Sequence, residues 1–590
     1  MSQALPGLPS LRTLAGSTGA LAIVCTLVIV AASPQLSRPG YSSDEEFTVF
    51  AVRGIDATGL PLLPSRWLYD RGVAYSYASW ALGSMAGAEL PVYRGLALVS
   101  AIAALVLVYS TVARIGSTVA GVIALFLVAT SVPFWAVATS GRFYAPFLVA
   151  WLGLVALVGQ VGRVGQVGRG WLLVGLFSLA ALGRLLHELA FTTVAIPLFC
   201  FVLSRRGSRA RWLLPGAAIV AGLVAAQAGI FALHYLAPSS GDTMIRRFFV
   251  WQVLNLFETP PDRQFGIVLV VLVIAWLIAP QRARRNLLIA LCGVAFIVGL
   301  SLARALTIAP FSWVLVQNVL SEGSRYPLDM SWYTVRVYPV TIAVALSLLI
   351  ARLAGAGGEW RPIERAAHLL WIGWVLWFGV IDSGITINYL LLPITLMLVA
   401  IAVDLTAILT HNVDSSRGAG RAVWWATCAL AVAAIVTDQW RGDGSIAARL
   451  EAARPTIDVA GIDEVRDSLQ PGDRVVCTDE LGCLMLVGRI DVWLALDDFV
   501  RERFVVRKAD GQLVGVYTGR PAVFRPADLF EGKPAERTIV IDVFKDYPVG
   551  STRDWLPRAL ERDGIEVLPL LETPQARVVQ ISAPSHNAGR

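Results

Sequence analysis

Apolar runs of spanning length recur from Leu14 to Thr437, and no other feature limits the fold of this chain so severely. A run of about twenty such residues crosses the hydrocarbon core of a bilayer as a helix, which satisfies its own backbone groups. The 590 residues are 56% hydrophobic and only 15% charged, whereas a soluble domain is about one quarter charged. The cores of the runs read as 14–32, 92–112, 115–133, 144–160, 170–186, 188–203, 212–236, 265–280, 286–306, 338–351, 366–382, 385–408 and 422–437. They predict roughly thirteen spans. The first reads as an uncleaved span, because it is long enough to cross and Arg12 is the only basic residue before it.

Charge then orients the spans. Arg114, the stretch with Arg163 and Arg169, Arg205 to Arg211, Arg282 to Arg285, and Arg352 to Arg365 alternate onto one side. The positive-inside rule makes that side the cytoplasm. A multi-pass protein of the cytoplasmic (inner) membrane follows, with its N-terminus inside. The Asp44 loop, the 134–143 turn, the His187 turn, the 237–264 and 307–337 loops and the tail from Trp440 then fall outside. The net charge of +7 is spread through loops with no basic block, which argues against nucleic acid as a partner. Lysine is absent before Lys508. Arginine suits forked contacts to lipid or substrate phosphate, and GC-rich coding bias gives the same shift.

The first outer loop, 34–91, holds Asp44-Glu45-Glu46 about ten residues past the first run. Ionised groups stay solvated at that membrane surface, so a plain solvated cluster competes with any chemistry. Phe47 to Val52 and Ala74 to Leu82 predict two helices lying in the interface, anchored by Trp67, Tyr69, Tyr75, Tyr77 and Trp80.

From Arg441 the composition is that of a soluble α/β domain, giving a layout of 1–440 in the membrane and 441–590 outside the cytoplasm. Asp473 to Cys477, Thr538 to Phe544, Ile565 to Leu571 and Ala576 to Ile581 predict strands, and Asp554 to Asp563 a helix. No glycine-rich dinucleotide fingerprint, phosphate-binding loop or hydrolase elbow occurs. Cys25, Cys200, Cys292 and Cys428 read as buried thiols. Cys477 and Cys483 are either a disulfide, if the tail is outside, or two free thiols.

The layout resembles the C-type membrane glycosyltransferases, in the branch of protein O-mannosyltransferases and aminoarabinose transferases. The residues that carry the resemblance are Asp44-Glu45 (or Glu45-Glu46), Gly141-Arg142-Phe-Tyr144-Ala-Pro146, Leu186-His187-Glu188-Leu189 and Asn388-Tyr389-Leu-Leu-Leu-Pro393. Asn388 stands where the family often carries Arg. The fold implied is a polytopic α-helical membrane protein with a C-terminal α/β domain. The activity implied is inverting, mannosyltransferase-like transfer of a sugar from a polyprenyl-phosphate donor to a glycan, lipid or protein acceptor. Asp44 is then the base, with Glu45 as second acceptor contact or as base in a shifted register. Arg142, Arg246, Arg247, Arg325 and Arg336 would neutralise the leaving phosphate, with Tyr144 and Tyr326 against the sugar. Each Arg has a competing reading as a snorkelling or headgroup contact. His187, Glu188 and Asp70 could supply ligands to a divalent metal as in some relatives, His234 being a second choice by position. Helical spacing would point His187 and Glu188 to different faces, and no cofactor is required by the residues themselves.

Two other classes compete. A transporter or flippase would place ionisable residues near the bilayer midplane, while here charges gather at one face. A non-catalytic scaffold would leave the loop carboxylates dispensable.

Overall fold

The computed structural model describes residues 11–237 apart from 39, 43, 88, 162–165 and 205; 338–439 apart from 359, 381–386 and 416–418; and 456–582 apart from 458–460, 497–504, 509–510, 531–536, 545, 548–549 and 574–575. The chain divides into two compact units. The helical unit is Met1–Leu36, Pro91–Phe231 and Asp242–Ala453. The second unit is Ser37–Leu90, Ala232–Gly241 and Arg454–Arg590, so the first loop is grouped with the tail.

In chain order the helices are α1 (Leu11–Leu36), α2 (Glu45–Thr58), α3 (Val73–Ala86), α4 (Leu90–Ile115), α5 (Thr118–Ala129), α6 (Val132–Ala138), α7 (Tyr144–Val158), α8 (Gln166–Leu186), α9 (Ala195–Leu203), α10 (Leu213–Leu236), α11 (Pro339–Leu353), α12 (Pro362–Val380), α13 (Ile387–Ser415) and α14 (Ala419–Gln439). Among the described residues six helices are long and apolar enough to cross a membrane: Thr18–Leu36, Leu90–Ile115, Gly168–Leu186, Gly207–Leu236, Leu391–His411 and Ala422–Gln439. The run expected as one span at 115–133 is instead α5 and α6, bent by 67°. Pro133 opens α6 and cannot continue the hydrogen-bond ladder of α5. Three further runs form shorter apolar helices, Tyr144–Val158, Glu188–Leu203 and Pro339–Leu353. The runs at 265–280 and 286–306 lie outside the described residues.

Within the helical unit α13 is the inner helix. Its Leu391–His411 window is 83% buried, against 11% for Thr18–Leu36, and it packs on α5, α6, α11, α12 and α14. Gly222 admits the backbone of α8, since a Cβ there would lie 2.2 Å from the Phe177 carbonyl oxygen.

The second unit is built on a six-stranded sheet. Its strands are β3 (Arg474–Cys477), β4 (Val492–Leu494), β7 (Ala522–Val523), β8 (Thr538–Val543), β11 (Glu566–Glu572) and β12 (Ala576–Ser582), in the order β11-β12-β8-β3-β4-β7. Strands β8, β3, β4 and β7 run parallel, with β12 and β11 antiparallel at one edge. Every residue of β8 is buried because both faces are covered. Val475, Ile539, Ile541 and Val578 face one core together with Leu486 and Val487 of α16 (Glu480–Val487), which follows α15 (Ile462–Ser468). Val476, Val540, Val579 and Ile581 face the other with Leu556 and Leu560 of α17 (Trp555–Arg562). The remaining strands are short: β1 (Tyr41–Ser42), β2 (Thr456–Ile457), β5 (Val505–Arg507), β6 (Leu513–Gly515), β9 (Asp546–Tyr547) and β10 (Gly550–Ser551). Cys477 at the end of β3 is disulfide-bonded to Cys483 in α16, with Cα atoms 6.3 Å apart.

Candidate functional site

The acidic stretch is not a uniform charged surface. Glu45 and Glu46 are 0% and 1% exposed, while Asp44 is half-buried. Asp44 occupies the N-cap of α2 at φ 78 and ψ −11, in the left-handed region, and its side chain makes no capping hydrogen bond. An Asp at this position ordinarily caps the helix with its carboxylate. The left-handed backbone costs a residue with a Cβ about 1–2 kcal/mol, and such strain persists only where neighbours over-determine it.

Those neighbours lie on both sides. Tyr41 pairs antiparallel with Ile457, joining β1 to β2, and its ring is buried in the tail core. Burial, then Asp479 and Glu46, hold the Tyr41 hydroxyl well above its usual range. Gly482 makes room for it, since a Cβ there would meet the Tyr41 hydroxyl at 2.7 Å. Past Asp44, the Phe47 amide donates to the Asp44 carbonyl at 3.2 Å. The Phe47 ring stacks on Tyr69 at 5.5 Å and meets Tyr517 edge-on at 4.8 Å. The Tyr517 phenol, raised well above its usual range chiefly by burial, interacts with Arg71, Glu480, Asp44 and Tyr69.

Between α2 and α3 the chain makes a small hairpin that bridges Leu62 to Leu68. Gly54 lets it close on α2, because a Cβ would lie 2.2 Å from the Leu62 carbonyl oxygen. Asp70, at the exit of the hairpin, places Oδ2 3.1 Å from His234 Nε2.

In the helical unit, Arg142 and Tyr144 enter α7 with Arg142 3% and Tyr144 4% exposed. The Arg142 guanidinium lies 4.7 Å from the Phe143 ring centroid and 5.9 Å from that of Tyr144. His187 packs on Phe143, Tyr144 and Phe147 at 5.2, 5.7 and 5.2 Å. The structure thus brings together Arg142, Tyr144, His187 and Glu188, four residues named from sequence. Helical-face reasoning fails for His187 and Glu188: α8 ends at Leu186, and His187 is extended at φ −157 and ψ 145. His187 Nδ1 consequently accepts from the Leu189 amide at 3.0 Å and lies 3.6 Å from Glu188 Oε2. Among the described residues no three His, Cys, Asp or Glu side chains are grouped to hold a metal ion. Arg246, Arg247, Arg325, Tyr326 and Arg336 lie outside the described residues, and Asn388 falls at the start of α13.

Arg184 escaped the sequence analysis. It is 2% exposed in the last turn of α8, donates from Nε to Gln227 Oε1 at 2.7 Å, and lies 5.6 Å from the Phe191 ring. An arginine closing an apolar helix was the available signal.

A second polar cluster sits elsewhere in the helical unit. Asp404 Oδ1 lies 3.3 Å from Arg352 Nε and Oδ2 lies 2.8 Å from His368 Nε2, and Arg352 reaches Glu364 at 3.2 Å. It borders a cavity of about 50 Å³ lined mainly by apolar residues such as Val108, Trp151, Ile196 and Leu396. That volume suits a water or two, far below what a sugar carrier needs.

No protein-family model and no curated protein matches the sequence. Solved structures do match in fold. ArnT from Cupriavidus metallidurans in the apo state superposes at a TM-score of 0.52 with 11% identity, covering 96% of this chain and 98% of that one. ArnT bound to undecaprenyl phosphate gives the same score and identity, over 95% and 98% of the two chains. The archaeal oligosaccharyltransferase AglB from Archaeoglobus fulgidus, in complex with an inhibitory peptide and a dolichol-phosphate, gives 0.58 and 12% over 98% and 75%. Nearly full-length superposition at such low identity identifies the architecture: this chain has the fold of the C-type integral membrane glycosyltransferases.

Proposed function

We propose that the chain transfers a sugar from a polyprenyl-phosphate carrier to an acceptor hydroxyl at the outer face of the cytoplasmic membrane, with Asp44 as general base. The carboxylate takes the acceptor proton as the acceptor oxygen bonds to sugar C1 from the face opposite the phosphate. The C1–O bond to phosphate breaks, its electron pair leaves with the polyprenyl phosphate, and the anomeric centre inverts. Outer-face arginines, Arg142, Arg246, Arg247, Arg325 and Arg336 among them, are the cations we expect at the leaving phosphate, through forked charge-assisted hydrogen bonds. The fold likeness supports this reading, since one matching structure holds undecaprenyl phosphate and another a dolichol-phosphate. The Cys477–Cys483 disulfide supports a tail outside the reducing cytoplasm.

One observation carries the choice of base: Asp44 is half-exposed, strained and not used for capping, whereas Glu45 is fully buried. The test uses membranes carrying the protein and short-chain polyprenyl phosphates bearing labelled hexose, pentose or amino sugar. Asp44→Asn is expected to lower transfer by about 10²–10⁴-fold, the usual worth of a positioned base. Glu45→Gln should alter protein yield more than turnover. Transfer by Asp44→Asn at the wild-type rate sinks the reading, and the donor series reports which sugar is used.

A further inference from the structure

We infer that the C-terminal domain is part of the catalytic apparatus, with Tyr517 a positioning residue that holds Asp44 in its strained conformation. This rests on Asp44 being the base. Asp44 lies three residues after Tyr41 and three before Phe47, and both flanking rings are gripped by the tail. Tyr41 is drawn into the sheet core and paired with Ile457. Phe47 is held between Tyr69 and Tyr517. Asp44 thus lies between two fixed rings, and its left-handed φ is held from both ends.

Tyr517 is itself fixed from two directions. Its carbonyl accepts the Ser65 amide of the loop hairpin at 3.0 Å. The next residue, Thr518, donates its amide at 3.0 Å and its hydroxyl to Glu480 Oε2. Gly515 leaves space for that carboxyl, since a Cβ would lie 2.1 Å from Glu480 Oε2. The Gly515–Thr518 turn is thus a socket, anchored in the tail, for the ring that follows Asp44. Preorganisation of this kind acts on turnover rather than on donor binding, because donor phosphate ligands are other residues.

Two measurements test it on the full-length protein. In the membrane assay with labelled short-chain polyprenyl-phosphate sugars, Tyr517→Ala should lower the rate at saturating donor about 10–100-fold, with apparent donor KM unchanged. Tyr517→Phe keeps the edge contact and should restore the rate. Hydrogen–deuterium exchange should show faster exchange over 44–50 in Tyr517→Ala than in Tyr517→Phe or wild type. A Tyr517→Ala protein with wild-type rate, or with unchanged exchange over 44–50, overturns the inference while leaving the base in place. Equal loss in Tyr517→Phe and Tyr517→Ala also overturns it, because the ring contact would then be irrelevant. If Asp44→Asn is as active as wild type, the base assignment fails and takes the positioning role with it.

Discussion

Asp404 and Glu480 are both buried acids, and the two units keep them by opposite means. In the helical unit Asp404 lies beside a guanidinium and an imidazole, with Arg352 Nε at 3.3 Å and His368 Nε2 at 2.8 Å. Trp371 Nε1 donates to His368 Nδ1 at 3.2 Å, which orients the ring. In the tail, Glu480 is 3% exposed and its hydrogen-bond donors are the amide and hydroxyl of Thr518. Burial raises its carboxyl to about 8, against the lowering effect of Thr518. One acid lies beside a partner charge, and the other keeps its own proton. The lesson concerns function as much as stability, because the proton-held acid supports the Tyr517 socket.

The largest effect should come from breaking the charge-held acid. Asp404→Ala leaves the Arg352 guanidinium buried with Glu364 as its one carboxylate partner among the described residues. Removing one member of a buried pair costs about 3–5 kcal/mol. Unfolding followed in detergent should show that loss, and Asp404→Leu combined with Arg352→Met should recover most of it. A single mutant as stable as wild type would mean that the network is solvated, and the contrast with Glu480 would collapse.

Glu480 should instead reveal itself through pH. Its folded value of about 8 lies above the ordinary glutamate value of 4.5, so between those values the folded state holds a proton that the unfolded chain has released. The stabilisation is complete below about 4.5, falls as pH rises, and is gone above about 8. The span amounts to a few kcal/mol, about 1.4 per unit. Thermal midpoints taken from pH 5 to 9 should decline in the wild type and flatten in Glu480→Gln. Asp542, raised by burial to about 6, adds a smaller decline at lower pH. A parallel decline in Glu480→Gln would assign the slope to other groups.

The contrast also marks what sequence can convey. Spans such as Leu90–Ile115 are legible because bilayer thickness imposes a length and an apolar composition. Asp44 and Arg142 are legible as charged residues beside such runs. The φ of Asp44 is not, because it depends on Tyr41 meeting Ile457 from the far end of the sequence. Helical spacing assigns His187 and Glu188 to separate faces, yet the helix stops one residue before them, at Leu186. Tyr517, in the turn Val516-Tyr517-Thr518-Gly519, carries no motif at all. Local chemistry is written in local sequence, whereas a site assembled by pairing distant segments leaves only single residues as traces.

The smallest effect belongs to the ion pair that looks best on paper. Arg53 and Glu89 form two parallel hydrogen bonds, 3.1 Å from Nε and 2.9 Å from Nη2. Their side chains are 51% and 46% exposed, so water solvates both charges once the pair is broken. Exposed pairs contribute about 0.2–1 kcal/mol, and ordering two long side chains consumes part of even that. A double-mutant cycle with Arg53→Ala and Glu89→Ala should give a coupling below about 1 kcal/mol. Because screening acts on exposed charges, the coupling should shrink as salt rises from about 0.05 to 0.5 M. A coupling as large as that of Asp404 would show that burial is not what separates these pairs. Geometry would then have to explain the difference, and the bidentate Arg53–Glu89 pair already has the better geometry of the two.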